Sequence, residues 1–334
     1  MIERMGDVEV LSHSGTDLLT DPSWDAFAVA EGTVFHTRRF LLSWWSDRLA
    51  KNPASRLIGV RLHDGEHLVG VCAFELHDGT LAFAGGRDVV DYMGPIAEAG
   101  REKEVAAALA RWIFETPGWS RIELAGLVQD DPVARALADE ICRLAPEAVI
   151  APYDQAPRIE KAPEGYLPML NSKRRADILR KRRSLSEAAG ALELVDSTSA
   201  NIDAAARLLL EWKAAADPEM ASFVAEYGGF VRGMLAELAA AEAGYVVELH
   251  ADGRPIASVI LLRHRDTAAI YNMAYDMSLA APGTGLAPGV VLISLLIERS
   301  LEQGLRFDFL KGAQDYKLRL GGVPVDLVAI TVER

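Results

Sequence analysis

Residues 271–322 read YNMAYDMSLAAPGTGLAPGVVLISLLIERSLEQGLRFDFLKGAQDYKLRLGG. The stretch predicts a strand ending at Asp276, a turn over Pro282-Gly283-Thr284-Gly285-Leu286-Ala287-Pro288-Gly289, and a helix over 290–303 closed by Gly304. A strand over 306–310 follows, then a short helix over 314–320 before Gly321-Gly322. A glycine-rich turn that opens a helix leaves backbone N–H groups free at the positive end of the helix dipole, which suits a pyrophosphate. An ordinary loop with Pro288 in the first helical turn gives the same pattern, so the glycines alone do not name a ligand.

Upstream the periodicity is mixed α and β. Strands over 245–250, 256–264 and 268–276, with a turn at Asp252-Gly253, follow helices over 171–189, 202–216 and 219–242 and a strand over 192–195. The last of those helices is expected to break at Gly228-Gly229. In the first half, helices over 38–49, 102–115 and 132–144 alternate with strands over 57–63, 68–77, 81–84, 121–124 and 148–151, and Asp64-Gly65 marks a hairpin. Pro146, Pro152, Pro157, Pro163 and Pro168 mark an extended crossover, and 325–332 reads as a final strand. An offset of about 188 residues lays Leu62-His63-Asp64-Gly65 on Leu249 to Gly253, which points to an internal duplication.

Half of the 334 residues are apolar and a quarter charged, a globular composition. With 35 basic against 48 acidic residues the net charge is −13, which argues against duplex nucleic acid or an anionic membrane surface as the main partner. One segment departs from this. Lys173, Arg174, Arg175, Arg180, Lys181, Arg182 and Arg183 face only Asp177 between 173 and 183. No apolar run approaches the roughly 18–20 residues of a membrane span, and Glu3, Arg4, Asp7 and Glu9 stand where a secretory leader needs apolar residues, so the expected location is cytoplasmic. Cys72 and Cys142 lack C-x-x-C spacing and read as buried free thiols. His63 and His67 flank a turn without a third ligand, and no G-x-S-x-G motif is present, so neither a metal nor a serine triad is expected.

The order of elements resembles the GNAT (general N-acetyltransferase) superfamily. More closely, Phe35 to Trp45, the basic helix, Leu210-Glu211-Trp212, the loop from Tyr275-Asp276 to Pro282-Gly283, and above all Phe307-Asp308-Phe309-Leu310-Lys311-Gly312-Ala313-Gln314-Asp315-Tyr316-Lys317 look like the CelD/BcsL-like acyltransferases, a group similar to the two-lobe Fem-type transferases. The resemblance spans about residues 35–325 and implies an α/β fold of mixed sheets in two tandem GNAT-like lobes. The expected division is 1–160, structural or acceptor-binding, and 161–334, the acyltransferase lobe. It implies acetyl-CoA or another acyl-CoA as donor, held by Gly283, Thr284, Gly285, Leu286, Ala287 and Gly289, although 278–281 lacks the Gln or Arg that opens the usual acetyltransferase loop.

By the same resemblance Tyr316, on the helix after the fifth strand, is the candidate acid for the leaving thiolate. Lys317 either holds a donor phosphate or polarises a carbonyl. Asp308 alternates with Phe307 and Phe309, so it is a candidate base or a structural partner, with Asp276 and Glu211 as weaker alternatives. Trp44, Trp45 and Trp212 read as core. The expected activity is acyl transfer, acetyl by default, to an amine or hydroxyl of a small-molecule acceptor, a saccharide-linked one among the candidates. Fem-type aminoacyl transfer and a non-catalytic role in polysaccharide assembly are the alternatives. The overall acidity and the lack of a long heptad helix argue against tRNA.

Overall fold

The computed structural model describes residues 8–162, 164–280 and 284–334. Up to Gln155 the chain forms β1 (Glu9–Ser14), α1 (Asp17–Thr20), α2 (Pro22–Glu31), α3 (Arg38–Lys51), β2 (Arg56–Asp64), β3 (His67–His77), β4 (Thr80–Phe83), β5 (Ile96–Ala97), α4 (Glu102–Glu115), β6 (Arg121–Val128), α5 (Pro132–Leu144) and β7 (Val149–Gln155). Then come β8 (Arg158–Ile159), α6 (Tyr166–Met169), α7 (Ser172–Ala189), β9 (Leu192–Asp196), α8 (Ile202–Ala216), α9 (Pro218–Ala239), β10 (Gly244–Ala251), β11 (Arg254–His264), β12 (Thr267–Tyr275), α10 (Pro288–Glu302), β13 (Arg306–Asp308), α11 (Asp315–Arg319) and β14 (Asp326–Glu333).

Local chemistry places many of the boundaries. Asp131 caps α5 by accepting from the Val133 and Ala134 amides, Asp217 caps α9 by accepting from Met220, and Pro132 and Pro218 follow at the first helical position. Asn171 caps α7 through the Arg174 amide. No break occurs in α9 at Gly228-Gly229: buried Phe230, Val231, Met234 and Leu235 pack the helix along α8, and this apolar face outweighs the glycine penalty.

The chain divides into two compact units, Met1–Gln155 with Val325–Arg334, and Ala156–Pro324. In the first, an eight-stranded sheet runs β1-β2-β3-β4-β6-β14-β7, with β5 on β3, and its core gathers α4 and α5 through Val105, Leu109, Ile113, Leu137 and Ile141. In the second, six strands run β8-β13-β12-β11-β10-β9; Leu292, Leu296 and Ile297 of α10 and Ile178 and Leu185 of α7 share a core with the sheet, and α8 also packs against it. Both sheets carry one parallel pair, β4 with β6 and β12 with β13, and both carry a register shift on the second strand of the meander, at Leu62/His63 and Leu249/His250. These shared irregularities support the duplication read from the sequence.

One expectation needs correction. Residues 161–334 do not form one lobe, because β14 pairs antiparallel with β6 on one side and β7 on the other and completes the first sheet. A strand's own pattern states which of its faces is buried, not which sheet receives it.

Candidate active site

The parallel pair β12 and β13 organises the second unit. Their ladder joins Thr267, Ala268 and Ala269 to Arg306, Phe307 and Asp308 and stops there, while β12 runs on to Tyr275. Beyond Ala269 the edge of β12 has no strand opposite it among the described residues, a place where an extended ligand can add its own hydrogen bonds. At the end of β12 the chain turns back into α10. Gly289 lets that helix approach: a Cβ there would lie 2.9 Å from Met273 Sδ and 3.1 Å from Tyr275 Cδ1. The N-cap residue, Ala287, supplies no side-chain hydrogen bond, Pro288 begins the helix, and its first turn holds no acidic residue. By contrast α4, the corresponding helix of the first unit, has Glu102 and Glu104 in its first turn and repels anions.

Of the loop residues expected to hold the donor, Gly283 lies outside the described residues. Thr284 Oγ1 donates to Leu279 O at 3.3 Å and accepts from the Leu286 amide at 3.3 Å, shaping the turn. Gly285 has φ +67° with open space around the Cβ position. Gly289 is spent on packing the helix against β12, and Ala287 and Leu286 are half-buried.

The strand expected over 306–310 ends at Asp308, and beyond it the chain makes a tight turn. Leu310 is buried with φ +57°, and Gly312 has φ +94°. Asp308, 6 % exposed, accepts the Leu310 amide on Oδ1 at 2.7 Å. Lys317, 5 % exposed, donates from Nζ to Leu310 O at 3.2 Å and Lys311 O at 2.7 Å. Both charged side chains thus fasten residues 308–311. Gly312 was the only trace of this turn in the sequence, since a leucine gives no sign of a left-handed backbone.

Tyr316 stands one residue from Lys317 on α11, half-buried against the second core. Burial pushes its phenol up to about 12, and its hydroxyl has no hydrogen-bond partner among the described residues. It therefore keeps its proton throughout the neutral range. The basic helix serves a different end. Arg182 donates to Ser294 Oγ at 3.0 Å and Glu298 Oε2 at 2.7 Å on α10, and Arg180 and Lys181 pair with Asp177. Lys173, Arg174 and Arg183 are exposed. Trp44 and Trp45 are buried, as their apolar stripe predicts.

Residues 172–318 match the acetyltransferase (GNAT) domain family. The match falls within the second unit, Ala156–Pro324, whose six-stranded mixed sheet therefore carries a GNAT-type domain. Among solved structures the chain is similar to FemX (11% identity, 96% of each chain, TM-score 0.61). It is also similar to L-PGS from Bacillus licheniformis (11%, 93% of this chain and 91% of that one, TM-score 0.58). A conserved protein of unknown function from Bacteroides thetaiotaomicron is comparable (13%, 97% and 100%, TM-score 0.61). At these identities the likeness is one of fold. No curated protein sequence matches the chain. No helix among the described residues is long and apolar enough to cross a membrane.

Proposed function

We propose that the protein transfers an acyl group, acetyl by default, from CoA to an amine or hydroxyl of a small acceptor, with the donor held in the second unit. The observation that carries this reading is the stretch of β12 beyond its ladder with β13, beside the uncapped start of α10. An extended amide-bearing arm can hydrogen-bond along such an edge as an added strand would, and a pyrophosphate can meet the N–H groups in the first turn of the helix.

In the reaction the acceptor's lone pair forms a bond to the acyl carbon, the carbon–sulfur bond breaks, and the sulfur leaves with the electron pair. Tyr316 is the group proposed to meet that sulfur. A phenol near 12 is a weaker acid than a thiol near 8.5, so its O–H stabilises the developing thiolate mainly as a hydrogen-bond donor. Asp308 and Lys317 position Tyr316 by fastening the turn that precedes α11, which leaves the base for the acceptor proton to the acceptor's own surroundings or to water. The first unit, whose α4 start is acidic, is the structural or acceptor-binding lobe in this reading.

Calorimetric titration with acetyl-CoA and CoA tests the reading; no binding of either at millimolar ligand overturns it. Fem-type aminoacyl transfer is the second reading, favoured by the FemX-like fold over 96% of the chain and by the exposed Lys173, Arg174 and Arg183, whose side chains have no ion-pair partner among the described residues. Salt-dependent retention of tRNA on filters would support it, and its absence removes it. CoA binding without thiol release across a broad amine and sugar panel would leave the non-catalytic alternative.

A further inference from the structure

In one row, the second sheet carries polar groups where the first carries apolar or neutralised ones. Superposing the two register shifts makes Glu248 the counterpart of Arg61 and His250 the counterpart of His63. Arg61 is paired across its hairpin with Val71 and Glu248 with Ser258, so Ser258 is the counterpart of Val71. Val71 and Ser258 are both 0 % exposed, and the Ser258 hydroxyl has no hydrogen-bond partner among the described residues. An unpaired buried hydroxyl costs about 1–3 kcal/mol, and the first lobe demonstrates that valine suits this place in the fold. The charges differ in the same way. Arg61 is neutralised by Asp21, the N-cap residue of α2. Glu248 has no lysine or arginine partner among the described residues; its Oε2 lies 2.9 Å from His250 Nε2, and the two side chains remain 16 % and 17 % exposed.

Direct cross-strand partners point to the same face of a sheet, so Glu248 and Ser258 share one, and the row continues through Ala274 on β12. Ala274 lies on the stretch of β12 that β13 leaves unpaired. From β10 to β12 is two strand spacings, about 10 Å. Glu248 is therefore too distant to touch an atom being acylated at the β12 edge, and at a suitable distance to hold another group of the same acceptor.

We propose that Glu248, oriented by His250 and with the Ser258 hydroxyl beside it, binds a cationic amino group of the acceptor about 10 Å from the atom that is acylated. The acceptor class is then an α,ω-diamine, or a longer molecule ending in a primary amine. The inference rests on the acyl-transfer reading for where the acyl group is delivered, and on the sheet alone for the cation site.

Calorimetric titration of diaminooctane and of octylamine into the CoA-loaded full chain tests it. The diamine is expected to bind at least about tenfold tighter than the monoamine, a difference of about 1.4 kcal/mol. Glu248→Gln should erase the difference, while Glu248→Asp, which keeps the charge and serves if the glutamine variant fails to fold, should retain part of it. Ser258→Val should weaken diamine binding while raising the melting temperature. Equal binding of the two amines to the wild type, failure of both to bind, or an unchanged preference in Glu248→Gln overturns the proposal. Repeating the titration without CoA separates the two readings: a diamine preference in a protein that binds no acetyl-CoA sinks the donor assignment and leaves the cation site standing.

Discussion

Lys317 directs its ammonium at the carbonyls of Leu310 and Lys311, and Asp308 its carboxylate at the Leu310 amide, so both act on the backbone that presents Tyr316. Removing the ammonium leaves two carbonyls without their donor. Lys317→Met should cost about 3 kcal/mol in a denaturation experiment and lower turnover through the displaced turn. Asparagine still offers an oxygen to the Leu310 amide, so Asp308→Asn should keep most of the activity, whereas Asp308→Ala should lose about 1–3 kcal/mol of stability. In the proposed reaction the hydroxyl acts in the transition state while the ring still packs, so Tyr316→Phe should reduce kcat about a hundredfold with acetyl-CoA affinity unchanged; wild-type turnover would sink the assignment. The raised phenol also sets a pH dependence. Its folded pKa of about 12 exceeds the ordinary 10, so its contribution is complete below pH 10 and is lost as pH climbs through 12. Melting curves of wild type and Tyr316→Phe should converge or cross in that window and run parallel below it.

At the scale of elements, two glycines in helices have opposite roles. Gly229 sits mid-helix in α9, and a methyl group added there would meet nothing within 4 Å, so Gly229→Ala should stabilise the protein by about 0.5–1 kcal/mol without touching function. Gly289 brings the start of α10 against Met273 and Tyr275. Gly289→Ala should push that helix end outward and weaken CoA binding more than it lowers the melting temperature, which paired calorimetry and thermal melts will reveal. The hairpins β2–β3 and β10–β11 explain why the duplication was legible: the turn residues Asp64-Gly65 and Asp252-Gly253 mark local backbone geometry that two residues specify by themselves.

For the whole molecule, β14 lies beyond the end of the domain match over 172–318 and sits between β6 and β7 of the first sheet. Leu327 and Ile330 on it are fully buried. A chain ended after Pro324 would expose two strand edges and a strip of core. Hydrogen exchange should then show loss of protection in β6 and β7, with β10 to β12 retaining theirs; unchanged protection in β7 would contradict this account.

Helices with an apolar face and a capping aspartate or asparagine, such as α5 and α7, and strands bounded by Asp-Gly turns, such as β10 and β11, are set by interactions within a few residues of one another, and the sequence alone determined them. The glycine-rich opening of α10 and the placing of Tyr316 on a short helix after β13 were legible for the same reason. Long-range packing decided the rest. The continuity of α9 across two glycines depends on α8 beside it, the left-handed Leu310 on the Asp308 and Lys317 side chains that hold it, and the orphaned Ser258 on the strand opposite. The sheet that receives β14 depends on the edges available once everything else has folded. Such contacts join residues far apart in the chain, and no local spacing encodes which distant partner a strand edge or a buried hydroxyl will meet.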